Sequence, residues 1–222
     1  RLSIRLKSNS TLHHSIFLNG DAFEHDQSYA MVKAVFAALS INDYFIIYVE
    51  SEIPLASGLG SSSAFIVCLL KSLNDYFSLS LSKENINDFA FKVEQQFSSI
   101  ISGIDNTVIT HGGLLLFQQH AFTFLKLNNP LKILLVNSGI SSSTPDVLKK
   151  TRCFIQEHQE TFQSMVAESN ILVDQGVSAL QCNDLKHLGL LCMQNHQLLQ
   201  QLGVSHPIIE EILTVARHNH AY

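Results

Sequence analysis

The first part of the chain alternates between strand-like and helix-like patterns of apolar positions. Apolar and polar residues alternate over 2–6, which predicts a strand. The apolar run at 16–18 is followed by Asn-Gly-Asp at 19–21, a combination typical of the edge of a β-hairpin. Apolar residues then recur at helical spacing over 28–39, and a dense β-branched and aromatic run occupies 44–49. These patterns predict a helix followed by another strand.

A segment rich in glycine and serine separates that strand from the most apolar stretch of the chain. Residues 51–63 contain one proline, two glycines and five serines, so they predict a loop. Between Ala64 and Leu73 nearly every residue is apolar, which predicts a helix buried on all sides. A second helix is predicted to start after Ser82 and to end near Ser98.

Glycines and short apolar runs dominate the middle of the chain. An irregular segment is predicted around 102–106, followed by a turn at Gly112-Gly113. Strand-like runs follow at 114–118, 122–126 and 132–136. They contain the last β-like sequence, so we expect a domain boundary just after them, near residues 137–144.

The rest of the chain has a helical period. Thr144-Pro145 is a strong helix opening, with the threonine as N-cap and the proline at the first helical position. The helical pattern continues to Asn219, with predicted breaks near Gly176, Asn183 and Gly203-Val204. The whole pattern predicts an α+β protein with a mixed first part and a largely helical last part.

Composition narrows the classes of function. The 222 residues include 14 Lys and Arg against 19 Asp and Glu, and the net charge of -5 provides no basic surface for nucleic acid or an anionic membrane. No apolar run approaches the roughly 18 residues of a membrane span, so a soluble protein is expected. The four cysteines form no CxxC pair, which favours free thiols in a reducing, cytoplasmic compartment. The eleven histidines lack a third ligand at metal-binding spacing.

The loop Gly58-Leu59-Gly60-Ser61-Ser62-Ser63 offers the most chemistry. Glycines let the backbone approach a ligand closely, and the start of the following helix offers unpaired N–H groups that suit a phosphate. Serine hydroxyls there can also coordinate a hard cation such as Mg. On composition alone, a serine-rich capping turn that binds nothing accounts for the loop equally well. The loop has neither the lysine of a Walker A motif nor the GxGxxG pattern.

Three segments carry a resemblance to a known family. IPLASGLGSSSAF at 53–65 closely resembles the P-x-x-x-G-L-G-S-S-A-A motif of the GHMP kinases, the superfamily of galactokinase, homoserine kinase, mevalonate kinase and phosphomevalonate kinase. SGIDNTVITHGG at 102–113 is similar to the S-G-x-D-N-x-V-x-x-x-G-G segment of mevalonate kinases. LKILLVNSGISSST at 131–144 lies where these kinases have a strand and a substrate-side turn.

The resemblance implies a two-lobed, GHMP kinase-like α+β fold. Residues 1–140 would form the N-terminal nucleotide-binding domain, and residues 141–222 the helical portion of the C-terminal domain. The chain begins at Arg1 rather than methionine. The family's upstream lysine motif and its C-terminal Gly-rich motif would lie beyond the two ends, so both domains are expected to be truncated.

The resemblance also implies roles for individual residues. Asp105 would be the catalytic base that accepts the proton of the substrate hydroxyl. Glu94 and Ser62 would bind Mg, and Thr144 would lie near the substrate. The nucleotide would be bound by the loop and two residues before it, namely Asn19, Ser51, Ala56, Ser57, Gly58, Leu59, Gly60, Ser61 and Ser62.

Three of these side chains also have a purely structural interpretation. Asp105 with Asn106 could form an Asx turn, because glycine and serine surround it. A lone glutamate among apolar neighbours, as Glu94 is, is more often a solvated helix position. Thr144 before Pro145 is fully explained as a helix cap.

The implied activity is transfer of the terminal phosphoryl group of ATP, with Mg, to a small-molecule alcohol. For a mevalonate kinase the acceptor is the primary hydroxyl of mevalonate, and the product is 5-phosphomevalonate for isoprenoid and sterol synthesis. The resemblance leaves room for a homodimer. The 222-residue piece by itself is expected to be inactive.

Two departures from the family pattern keep alternatives open. Ser99-Ile100-Ile101 stands where mevalonate kinases have Gly-Asn-Pro before the aspartate turn. No Lys or Arg occurs between Lys132 and Lys149, where the family places a basic residue toward the substrate carboxylate. The alternatives are a kinase for another alcohol, such as a sugar or homoserine, and a catalytically silent ligand-binding or sensor protein of the same fold.

Overall fold

A mixed four-stranded sheet opens the computed structural model, which describes residues 2–10, 13–54, 57–98, 101–118, 121–140 and 144–219. The strands are β1 (Leu2–Ser8), β2 (Ser15–Leu18), β3 (Asp21–Ala22) and β4 (Phe45–Ser51), in the order β1-β4-β2-β3. β4 is antiparallel to β1 and parallel to β2, while β2 and β3 form a hairpin. Asn19 and Gly20 turn the hairpin in left-handed conformations, with φ of 51° and 96°. The predicted strands and hairpin are confirmed.

Helix α2 is the centre of the first part of the chain. The helices described there are α1 (Asp26–Ala38), α2 (Ser61–Phe77), α3 (Lys83–Glu94) and α4 (Ile104–His111). α2 packs against β1 and against the other three helices. Its Ile66, Leu69, Leu70 and Leu73 are fully buried at i, i+3, i+4 and i+7. The prediction of a helix surrounded by protein is therefore confirmed, although α2 begins at Ser61 rather than Ala64.

The prediction of an irregular segment around 102–106 holds only for 102–103 and is wrong for 104–106, which belong to a helix. α4 starts at Ile104, because Gly103 adopts a left-handed φ of 81° at the N-cap and sets the following residues into helical geometry. Asp105 consequently lies in the first turn of a helix rather than in an Asx turn. The first two strand-like runs predicted after Gly112-Gly113 are confirmed as β5 (Leu115–Gln118) and β6 (Ala121–Phe124), which pair antiparallel.

The chain divides into two compact units, Arg1–Phe124 and Leu125–Tyr222. The second contains α5 (Thr144–Glu157), α6 (Gln159–Gln181), α7 (Leu185–Gln201) and α8 (Pro207–His218). Its core lies between α6 and α7 and consists of Met165, Leu172, Ala179, Leu191 and Leu198. The domain limits implied by the family, 1–140 and 141–222, stay a prediction. In the part of the chain that the structure describes, no helix combines the length and hydropathy that crossing a bilayer requires.

Two predictions for the second unit are wrong. The run 132–136 is not a strand, and Ile133 and Leu134 are 71% and 83% exposed, because no other segment among the described residues pairs with it. Gly176 does not break a helix either, since α6 continues to Gln181. A Cβ at Gly176 would lie 3.7 Å from Leu188 Cδ1, which is ordinary van der Waals contact, so packing does not require a glycine there. The predicted breaks at Asn183 and Gly203 are confirmed, with φ of 58° and 70°.

A polar cluster fastens α8 to the end of α7. The Glu210 carboxylate accepts hydrogen bonds from Ser205 and Gln200, and His196 Nε2 lies 2.8 Å from Glu210 Oε1. The Ser205 hydroxyl and then His196 hold the pKa of Glu210 below its usual value. Because a lowered carboxyl pKa favours the folded state only when the group is ionised, this contribution is present above the unfolded pKa and is lost as the pH falls through the folded pKa.

Glu210→Gln is therefore expected to lower the melting temperature at neutral pH and to have little effect in acid. The measurement is thermal unfolding, followed by circular dichroism, of both proteins from pH 7 to pH 3. Glu211→Gln is the matched control, since Glu211 is the exposed neighbour on the same helix. A difference in melting temperature between Glu210→Gln and the wild type that stays constant from pH 7 to pH 3 would show that the ionised Glu210 carboxylate does not stabilise the fold.

Candidate functional site

The loop before α2 presents main-chain N–H groups at its end. Gly58 and Gly60 have left-handed φ of 73° and 65°, and Gly60 is the N-cap of α2. No side chain among the described residues caps this helix start. The first N–H groups of a helix have no partner within the helix, so here they are available to an anion. The Ser57 hydroxyl donates to the Pro54 carbonyl at 2.7 Å and steadies the loop.

Asp105 lies directly against this loop. A methyl group added to Gly60 would be 3.5 Å from Asp105 Cγ and 3.4 Å from Ile109 Cδ1. Gly60 therefore allows the loop to approach α4 closely, and its φ also favours glycine. Ser102 supports the start of α4 by accepting a hydrogen bond from the Ile104 N–H at 3.3 Å. The packing of α2 on α4 thus brings a carboxylate next to the anion-binding end of α2.

Glu94, the last residue of α3, contributes a second carboxylate. Its side chain is half-buried, which contradicts the interpretation as a solvated helix position. Burial raises the pKa of Glu94, the charge of Asp105 raises it further, and the Ser63 hydroxyl lowers it. Glu94 Oε1 is buried and has no hydrogen-bond partner among the described residues. An orphaned carboxylate oxygen close to a like charge is an arrangement that a cation would stabilise.

This arrangement fits a magnesium ion bound together with phosphate. The described residues contain no group of three or more His, Cys, Asp or Glu side chains that could form a complete metal site. Mg usually keeps several waters and is bound through one or two carboxylates plus substrate phosphates. Glu94, with its buried Oε1 without a partner among the described residues, matches one carboxylate of that pattern. Ser62, the predicted second ligand, is exposed on the first turn of α2, and its role in the cation site stays a prediction.

An amide and hydroxyl network joins α3 to α4 and was missed by the sequence analysis. Asn106 is 1% exposed, and its Nδ2 donates to Asn87 Oδ1 at 2.6 Å. Asn87 Nδ2 in turn donates to Thr107 Oγ1 at 3.3 Å. The network fixes the helix that carries Glu94 relative to the helix that carries Asp105. A helix over 104–111 places the polar residues Asn106 and Thr110 on one face, and both are buried, so assigning that helix would have pointed to a polar contact on this face.

The other predicted residues are distributed as follows. Asn19 Oδ1 accepts from the Ser51 N–H at 2.8 Å, and Asn19 Nδ2 donates to the Ser51 carbonyl at 3.2 Å. These two residues are thus neighbours, and their polar groups connect the β2–β3 turn to the end of β4. α5 begins at Thr144, as the Thr144-Pro145 pair predicted. Thr144 belongs to the second compact unit, whereas Glu94 and Asp105 belong to the first. Ala56 and the departure at Ser99-Ile100 lie outside the described residues.

Comparisons with known proteins agree with this geometry. Residues 28–113, which include Gly60, Glu94 and Asp105, match the family model "GHMP kinases N terminal domain". The chain is similar to the mevalonate kinase of Saccharolobus solfataricus, with 28% identity over 206 residues that cover 90% of this chain and 65% of that protein. It is 34% identical over 174 residues to the mevalonate kinase of Pyrococcus abyssi, covering 76% of this chain and 52% of that protein.

The structural likeness extends along nearly the whole chain. The crystal structure of L. major mevalonate kinase in complex with R-mevalonate matches with a TM-score of 0.86 and 25% identity, covering 98% of this chain and 71% of that chain. The predicted fold class is confirmed by this match. The chain spans between 52% and 65% of the length of the two relatives described above.

Proposed function

Because the chain belongs to the GHMP kinase superfamily, we propose that it is part of a mevalonate kinase. The intact protein transfers the terminal phosphoryl group of ATP to the primary hydroxyl of mevalonate and releases 5-phosphomevalonate and ADP. The product is a precursor for isoprenoids and sterols. The observation that carries this proposal is the Asp105 carboxylate packed against Gly60 at the start of α2, with Glu94 within electrostatic range of it.

The loop binds the phosphates of ATP. Its glycines bring the main chain close to the ligand, and the first N–H groups of α2 donate to phosphate oxygens. The predicted contacts are the residues from Ala56 to Ser62, with Ser51 and Asn19 toward the rest of the nucleotide. The Asn19 and Ser51 side chains already bond locally, so we expect them to shape the nucleotide site more than to bind the phosphates.

Asp105 acts on the acceptor alcohol. As the hydroxyl oxygen attacks the γ-phosphorus, its O–H bond breaks and the proton passes to the Asp105 carboxylate, while the bond between the γ-phosphorus and the bridging oxygen breaks and ADP leaves. Asp105 lies in the first turn of α4, against the loop that precedes α2.

Glu94 supplies the protein ligand for the cation, and Ser62 is the predicted second ligand. When bound, Mg neutralises charge that develops on the phosphate oxygens. Phosphoryl transfer requires little covalent chemistry from a protein, so positioning and charge neutralisation account for most of the catalysis. The residues at the end of α2, the end of α3 and the start of α4 can provide both.

One observation favours a second candidate, a kinase for an uncharged alcohol or an amino alcohol. The segment between Lys132 and Lys149 carries no basic residue, so it offers no partner for the carboxylate of mevalonate. A sugar or homoserine would then be the acceptor. In both candidates Thr144 stays a predicted substrate contact.

The deciding experiment measures ADP release by the intact protein with ATP and Mg, using R-mevalonate, homoserine and galactose as acceptors. We expect mevalonate to be turned over with a kcat/KM at least about 10²-fold above the others, because a site with polar groups for one substrate rejects analogues that leave those groups unpaired. Faster turnover of another alcohol would identify the alternative kinase. Nucleotide binding without turnover of any acceptor would instead indicate a catalytically silent protein.

A further inference from the structure

The first turn of α4 carries one outward and one inward side chain next to each other. Asp105 is exposed, whereas the following residue, Asn106, is 1% exposed. Consecutive helix residues point about 100° apart, so the direction of the buried residue sets the direction of its neighbour. α4 is only eight residues long, and its N-cap, Gly103, has no side chain to cap it. The ends of short helices fray readily, so contacts with other elements must hold Asp105 in place.

The inward contact is made by one asparagine of α3. Asn106 Nδ2 donates to Asn87 Oδ1 at 2.6 Å and to the Asn87 main-chain carbonyl at 3.4 Å. Asn87 Nδ2 donates in turn to Thr107 Oγ1 at 3.3 Å. Asn106 Oδ1 has no partner among the described residues, so the Asn106 amide is anchored there through its nitrogen, on Asn87. One side chain of α3 therefore holds two consecutive residues of α4.

Hydrogen bonds to two consecutive residues fix the rotation of α4 about its axis. Side chains reach about 5–6 Å from a helix axis, so a rotation of about 10° moves the end of a side chain by about 1 Å. A displacement of about 1 Å at a reacting group can cost about 10²-fold in rate. The apolar contact of Ile109 with Gly60 does not prevent such a rotation, because apolar contacts have no preferred direction and hydrogen bonds do.

We propose that Asn87 is a positioning residue for Asp105: its hydrogen bonds to α4 set the rotation of that helix, and so the place of the Asp105 carboxylate beside the start of α2. The inference rests on the proposed function, in which Asp105 accepts the proton of the acceptor alcohol. Asn87 acts through α4 and takes no part in the proton transfer itself.

The test compares two substitutions of similar size in the intact protein. Asn87→Leu fills the same space but removes both side-chain hydrogen bonds. Asn87→Asp is the rescue variant, because a carboxyl group accepts from the Asn106 amide and also bonds to the Thr107 hydroxyl, which is both donor and acceptor. Ser82→Ala is the control for stability, since Ser82 caps the start of α3 by accepting from the Asn85 N–H at 3.2 Å.

The measurement is steady-state ADP release with ATP, Mg and the acceptor that the wild type turns over. We expect kcat to fall about 10²-fold in Asn87→Leu and to stay near the wild-type value in Asn87→Asp. The dissociation constant of a non-hydrolysable ATP analogue should not change, because the loop and α2 keep their phosphate contacts. Ser82→Ala should lower the melting temperature at unchanged kcat. A merely structural role of Asn87 would likewise lower the melting temperature and leave the kcat of the folded protein unchanged.

A double variant tests whether Asn87 acts through Asp105. In an Asp105→Asn background, adding Asn87→Leu should leave the residual kcat unchanged, because the carboxylate that Asn87 positions is already absent. A further fall in kcat would show that Asn87 affects another part of the site, and would overturn the inference.

Failure of the inference and failure of the proposed function are distinguishable. If the wild type phosphorylates an alcohol and Asp105→Asn does not, but folded Asn87→Leu keeps the wild-type kcat, Asn87 does not position Asp105. If Asn87→Leu does not fold, Thr107→Val removes the hydroxyl that accepts from Asn87, and a wild-type kcat in that variant would equally overturn the inference. If the wild type phosphorylates no acceptor, the proposed function fails and the inference falls with it.

Discussion

Asp105→Asn is expected to lower kcat about 10²- to 10⁴-fold, the range that a positioned general base contributes. The amide has the size of the carboxylate and fills the same space against Gly60 and Ile109, but it cannot accept the proton of the attacking hydroxyl. The measurement is steady-state ADP release by the intact protein with saturating acceptor, ATP and Mg. Binding of the ATP analogue should change little, because the loop and α2 provide the phosphate contacts.

The control for this substitution is Asp88→Asn, which removes an exposed carboxylate from α3 and should leave kcat unchanged. Loss of activity in Asp105→Asn counts only if the melting temperature shows that the variant is folded. A folded Asp105→Asn protein with wild-type kcat would remove Asp105 from the mechanism and return it to the structural interpretation.

Glu94→Gln is expected to produce opposite effects on activity and on stability. The activity should fall at least about 10²-fold, because a bound cation is worth several kcal/mol of transition-state stabilisation and each 1.36 kcal/mol is a factor of ten in rate. The glutamine amide keeps the shape of the side chain but is a poor ligand for a hard cation. The measurement is the rate as a function of Mg concentration, with Glu168→Gln, an exposed glutamate on α6, as the control.

The stability of the metal-free protein should rise in the same variant. Burial and the charge of Asp105 raise the pKa of Glu94, so the folded state binds a proton more tightly than the unfolded state. The free energy of unfolding therefore falls as the pH rises from the pKa of Glu94 in the unfolded state to its pKa in the folded state. Above that range, the wild type bears the full cost of burying an ionised carboxylate. In the presence of EDTA, Glu94→Gln should melt above the wild type at pH 7 and together with it near pH 4. A lower melting temperature at pH 7 would mean that the ionised carboxylate stabilises the fold.

The elements of the first unit were predictable because their signals are local. From Ala64 to Leu70 the residues of α2 leave no polar face, and such a segment is stable only when surrounded by protein. The left-handed glycines of the loop were recognisable in the same way, since Gly58 and Gly60 occupy conformations that other residues rarely adopt. The start of α2 was placed late because serines favour loops and helix ends alike.

The wrong predictions share a dependence on distant partners. Residues 104–106 have the composition of a turn, and an asparagine in such a segment often bonds to its own main chain. In the fold, the Asn106 side chain instead donates a hydrogen bond to Asn87 on α3. Residues 132–136 have strand propensity, yet propensity does not supply a neighbouring strand. Gly176 has the composition of a helix end, but it lies buried within α6, which packs against α7.

Residue patterns were sufficient to predict that a glycine- and serine-rich loop precedes a buried helix, and the resemblance to the family singled out Asp105 and Glu94. These follow from periodicity, backbone freedom and residue type, which neighbours along the chain decide. The fold was needed to show that Asp105 packs against Gly60, and that Glu94 is half-buried with a carboxylate oxygen that has no partner among the described residues. Those relations depend on how α2, α3 and α4 pack, and a contact between helices that are distant in sequence has no signal along the chain.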